Sequence, residues 1–96
     1  MKTKTKILET FNKSLVGTKE FNMLTTIAGY SIRDANNIVM MLDLGNYLQI
    51  LYDYGIKCIS LIVAYYEDED EYEKCAAIKL VVDNYNKSTG KNLNIK

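Results

Sequence analysis

Ninety-six residues, 48% of them hydrophobic and 25% charged, describe one folded domain and not a disordered chain. Twelve basic and twelve acidic residues cancel, so overall charge does not point to a nucleic-acid partner. With no histidine and only Cys58 and Cys75, set far apart, the chain lacks the ligands for a structural zinc, and neither a metal nor another cofactor is expected.

A first helix is expected over residues 4–15, because Ile7, Leu8, Phe11 and Leu15 fall on one helical face and Gly17 follows as a stop. A second is expected over 19–28, capped by Thr18, with Glu20 in its first turn and Phe21, Leu24, Ile27 and Ala28 on its inner face. Gly29 and Tyr30 then form a turn. Ser31 is a good N-cap for a third helix over 32–44, with Asp34 placed to complete a capping box. Ala35, Ile38, Val39 and Leu42 make its buried stripe, Arg33, Asn36, Asn37 and Met40 lie opposite, and Gly45 closes it.

Residues 47–64 read as a two-stranded hairpin turning at Tyr54-Gly55. The β-branched Ile56, Ile59, Ile62 and Val63 favour strand, and the competing reading is a helix broken at Gly55. The last element is a long helix over 66–88. Six acidic side chains between Glu67 and Glu73 would complement its N-terminal dipole. Its apolar residues wrap more than half the circumference, which exceeds what one packing surface needs and points to a second copy. Tyr72, Cys75, Ile78, Val81, Val82 and Tyr85 are the expected dimer contacts. Residues 91–96 are expected to be a loose tail.

The order helix, tight turn, helix, glycine stop and hairpin resembles the winged helix-turn-helix superfamily. The resemblance covers residues 19–62 and is carried by Ile27-Ala28 before the turn, Ser31 opening the next helix, and Leu42, Leu44 and Gly45 closing it. Tyr47-Leu48 then leads into a hairpin with an Asp53-Tyr54-Gly55 tip. The fold so implied is mainly α with a small β-hairpin, a winged helix-turn-helix with a long C-terminal dimerisation helix. Members of that superfamily mostly bind double-stranded DNA as twofold dimers, as transcriptional regulators or as plasmid and phage segregation adaptors.

By that resemblance the helix at 32–44 reads the major groove. Ser31, Arg33, Asn36, Asn37 and Met40 would be its contacts, Thr25 and Thr26 would lie on the preceding helix, and Tyr54 and Lys57 would sit at the wing. The residue types suit the task, since Asn can bridge the edge of adenine and Arg can fork onto guanine or phosphate. A mild positive lean supports it: residues 1–57 hold seven basic and five acidic residues, residues 58–96 five and seven. The alternative is a protein–protein interaction module, such as a phage-encoded inhibitor acting through the acidic helix start, or an all-helical interaction protein without a wing.

No histidine, Gly-rich phosphate loop or paired-carboxylate arrangement suggests an enzyme. The N-terminus lacks a signal-peptide core, and the most apolar stretch, Ile56–Tyr66, contains Lys57 and is short for a bilayer. A cytoplasmic chain with free thiols and no membrane partner is expected. Abundant Lys, Asn, Ile and Tyr without Pro or Trp associates with AT-rich genomes, phage and plasmids among them.

Overall fold

The computed structural model describes residues 18–95, and every regular element among them is helical. The helix expected over 4–15 and the arm of Lys2, Lys4 and Lys6 lie outside the described residues. The chain divides into two compact units, Met1–Val39 and Met40–Lys96.

In the first unit, α1 (Thr18–Asn22) runs directly into a π-helical turn, Met23–Ile27. The two threonines account for the widening. The Thr25 hydroxyl donates to the carbonyls of Phe21 and Asn22, at 3.0 and 3.3 Å, and the Thr26 hydroxyl donates to Asn22. Hydroxyls that occupy the preceding turn's carbonyls compete with the regular ladder, and the backbone answers with wider bonds such as Ala28 N–H to Met23 O, 3.1 Å. Met23 and Leu24 are buried, but the wider turn carries Ile27 off the inner face, where it is 73% exposed.

Helix α2 (Ile32–Asp43) begins as the sequence predicts: the Asp34 N–H donates to Ser31 Oγ at 3.1 Å. Ala35 and Ile38 are buried, and Val39 and Leu42 are half-buried. At its end Gly45 takes φ +68°. The Asn46 N–H reaches Met41 O at 2.8 Å and the Gly45 N–H reaches Leu42 O at 3.1 Å. This paired closure satisfies two carbonyls that the helix end would otherwise leave open.

The hairpin expected over 47–64 is not there. Tyr47–Asp68 is one helical element, α3, broken at Gly55, whose φ of 87° and ψ of 178° are not helical. The wing, and with it the winged helix-turn-helix fold, is therefore corrected to an all-helical arrangement among the described residues. Burial shows why. Ile50 and Leu51, then Cys58 and Ile59, then Ile62 and Val63, then Tyr66 are the buried positions. Their spacing follows the helical period, and packing of that stripe outweighs the strand preference of the β-branched side chains.

The acidic run is divided too. Glu67 and Asp68 end α3, and Glu69 to Glu71 form the turn, so the last helix, α4, spans Tyr72–Thr89 and not 66–88. The Glu71 N–H reaches Tyr66 O at 2.8 Å and the Asp70 N–H reaches Glu67 O at 3.2 Å, with Asp70 at φ 60° in the left-handed position. Lys79 bridges back to Glu67 at 3.3 Å across the turn. Helices α3 and α4 pack as an antiparallel pair. Cys75, Ile78 and Val82 of α4 are buried, and Cys75 Sγ lies 3.6 Å from Val63 O. Both cysteines are free thiols. The tail expected to be loose is tied to α4 at Leu93: the Asn86 amide donates to Leu93 O at 2.8 Å and accepts from the Leu93 N–H at 3.0 Å.

Candidate interaction surfaces

The residues expected to read a groove lie on an open face of α2. Arg33, Asn36, Asn37 and Met40 are all exposed, at the i, i+3, i+4 and i+7 spacing that puts them on one side of the helix. Ser31 is exposed at its start. Thr26 is exposed and Thr25 half-buried, with the hydroxyls of both engaged by their own helix. Tyr54 and Lys57, expected at a wing tip, flank the α3 break instead, Tyr54 half-buried and Lys57 exposed. No hairpin presents them to a duplex.

The electrostatics of this region are unfavourable for phosphate. From Thr18 to Asp43 only Lys19 and Arg33 are basic, against Glu20, Asp34 and Asp43. Non-specific DNA affinity comes from neutralising phosphates with Lys and Arg, and two cations give little of it.

The second unit offers a different surface. The first half of α3 and the last turns of α4 enclose a shallow cleft of about 260 Å³ lined by Leu48, Tyr52, Val81, Asn84, Tyr85 and Ser88. The rings of Tyr52 and Tyr85 meet edge to face, with centroids 5.6 Å apart. Tyr52 remains 60% exposed, and Leu80, one helical turn from Asn84, is 59% exposed. Lys91 sits beside Tyr85, its ammonium 5.7 Å from the ring centre and 3.3 Å from the phenol oxygen. A second hollow of about 370 Å³ lies past the break, lined by Ile56, Lys57, Ser60, Leu61, Ala64 and Asn94.

The residues expected at a dimer interface divide into three groups. Cys75, Ile78 and Val82 are taken up by the chain's own core. Val81 and Tyr85 are half-buried at the cleft, and Tyr72 is exposed at the acidic turn. The excess apolar width of the last helix is therefore smaller than the sequence alone suggests, but it is not zero. Leu48 and Tyr52 were not distinguishable as a surface, because a strand register sets both on the face with Ile50 that packs on the helices, whereas Leu80 belongs to the apolar width that the sequence already marks as excess. The i, i+4 spacing of Leu48 and Tyr52 was the available signal.

Chemistry at these surfaces is limited. Burial, followed by the nearby Glu67 charge, pushes the Cys75 thiol above its ordinary pKa, which is the opposite of an activated nucleophile. The Tyr72 phenol is also raised, chiefly because it donates a 2.8 Å hydrogen bond to Asp70. Among the described residues no three His, Cys, Asp or Glu side chains are placed to hold a metal ion. By length and composition α3 is apolar enough to cross a membrane, with a mean hydropathy of 1.2. However, the break at Gly55 divides it into 47–54 and 56–68, each short of a bilayer's hydrocarbon thickness. No protein-family model, curated protein or solved structure matches the chain.

Proposed function

We propose that this chain is a small helical protein-binding module that works by docking another protein on the α3–α4 pair. The observation that carries the reading is the cleft of Leu48, Tyr52, Val81 and Tyr85, with Tyr52 and Leu80 left largely open to solvent. Exposed aromatic and large aliphatic side chains around a shallow apolar hollow have the composition of a protein-contact centre. At about 260 Å³ the cleft is small for an organic ligand and suits one or two inserted side chains. The test places a photo-crosslinking amino acid at position 80 and, as control, at position 79. A discrete protein adduct from position 80 but not from 79 is expected in the native cell. Identical adduct patterns from both positions would refute the reading.

A second reading is kept because one observation favours it. A Ser31-capped helix offers Arg33, Asn36, Asn37 and Met40 on a single open face. If it reads DNA, selection from a randomised duplex pool returns a motif, and Asn37→Ala lowers affinity for it by about 1–3 kcal/mol while leaving the fold intact. Retention that is negligible at low salt, with no motif recovered, eliminates it.

A further inference from the structure

We infer that the partner docked on this cleft is a second copy of the chain, packed about a twofold axis against the outer face of α4. The inference rests on the protein-binding reading above and names its occupant.

Spacing is the first ground. Ala77, Val81, Asn84 and Ser88 recur at i, i+4, i+7 and i+11 along α4, the repeat by which one helix lies along another. This seam borders the stripe of Cys75, Ile78 and Val82 that α3 covers, and three of its four residues line the cleft. Leu80 flanks it on one side, and Tyr52 and Leu48 continue it across the cleft on the other.

Charge is the second ground. A twofold contact sets each patch against itself, so a like charge near the axis would meet its own copy and repel. In a chain that is 25% charged, the seam, the cleft lining and Leu80 together contain no charged residue. Charges border them in both signs: Asp53 on α3, Glu73, Lys74, Asp83 and Lys87 on α4, and Lys91, which touches Tyr85 at the edge of the cleft. A rotation that lays the α3 edge of one copy on the α4 edge of the other brings opposite signs together.

Area is the third. With Tyr52 and Leu80 some three-fifths exposed and Leu48 38% exposed, these three side chains offer roughly 300 Å², and with the smaller seam residues the patch reaches on the order of 500 Å² per copy, at the threshold of about 1,000 Å² in total that a specific interface needs. The dimer is therefore reversible and concentration-dependent. Asn84 lies within the seam, where a buried polar side chain favours one register at some cost in affinity, and Ser88 ends it.

Sedimentation of the full chain from low micromolar to submillimolar concentration is expected to show a mass rising from monomer to dimer and no further. Leu80→Lys and Ala77→Glu, both at exposed positions, should keep the wild-type helical signal and melting temperature and weaken dimerisation by at least about tenfold. Under mild oxidation Asn84→Cys should give a covalent dimer while Lys79→Cys, on the opposite flank of α4, does not. Cys58 and Cys75 are buried and do not compete. A wild-type monomer across the whole range overturns the self-association, as does a dimer indifferent to both charged variants. The crosslinking test at position 80 would still decide the broader protein-binding reading, so the two failures are distinguishable.

Discussion

Replacing Gly55 with Ala tests the break in α3 through the sign of its effect. Gly55 holds φ 87° and ψ 178°, a region that L-residues other than glycine scarcely enter. An ideal Cβ at this position meets nothing within 4 Å, so the cost is confined to the backbone. A strained residue of this kind costs about 1–3 kcal/mol, and the loss of glycine's freedom in the unfolded chain returns about 0.4–1 kcal/mol. The net expectation is a loss of up to about 2.6 kcal/mol, centred near about 1.3 kcal/mol, or a fall of roughly 5–10 °C in melting temperature at that centre for a chain of this size. If residues 47–68 were instead one uninterrupted helix, Ala would exceed Gly in helix propensity and stabilise by about 0.8–1 kcal/mol. Thermal unfolding followed by far-ultraviolet circular dichroism separates the two, since they differ in sign. A D-alanine at position 55, introduced by joining synthetic segments, sharpens the test. Its preferred angles mirror those of an L-residue, so the observed geometry becomes ordinary extended backbone, and stability should equal or exceed that of wild type. Stabilisation by L-Ala together with destabilisation by D-Ala would refute the break.

Three further outcomes follow from the described contacts. Ser31→Ala removes the acceptor for the Asp34 N–H and should cost about 1 kcal/mol in denaturant unfolding; no change in midpoint would mean that the cap contributes nothing. Asp70→Gly relieves a left-handed aspartate and should stabilise by about 0.5–1 kcal/mol. It should also return the Tyr72 phenol toward its ordinary pKa in an ultraviolet titration, because the hydrogen bond that raises it is gone. The thiols of Cys58 and Cys75 should resist labelling in the folded protein at neutral pH and both react once it is unfolded; rapid native labelling of Cys75 would contradict its burial and raised pKa.

The punctuation of the chain was readable from residue type alone. Ser31 and Gly45 mark helix ends because their chemistry is local: a hydroxyl that accepts from the backbone, and a residue without a Cβ that tolerates positive φ. The α2 stripe of Ala35 and Ile38 was equally plain, since one helical period fitted it and no strand period did. Residues 47–64 satisfied both periods. Leu48, Ile50 and Tyr52 alternate as a strand would, while Ile50, Tyr54, Cys58, Ile62 and Tyr66 recur every fourth residue. The β-branched isoleucines and the Tyr54-Gly55 dipeptide tipped the reading toward a hairpin. The stripe had to be followed as far as Tyr66 for the helical period to prevail, and ending the hairpin at residue 64 concealed it. The cleft was lost with the hairpin, because Leu48 and Tyr52 become a surface only once α3 is a helix lying beside Val81 and Tyr85. The acidic run misled through the dipole rule: Glu71 and Glu73 do sit at a helix start, whereas Glu67 and Asp68 sit at the end of the preceding one, where Lys79 offsets part of their cost.

The Asn86 side chain makes with Leu93 the same pair of hydrogen bonds that one peptide unit makes with another. A primary amide here replaces a missing length of backbone, so a segment with no regular structure inherits the rigidity of the helix it leans on. Solvent hydrogen should therefore exchange slowly at the Leu93 amide although no helix or strand contains it, and only when the last turns of α4 unwind and Asn86 swings away. That single amide becomes a clock for fraying at the end of α4, readable without any substitution.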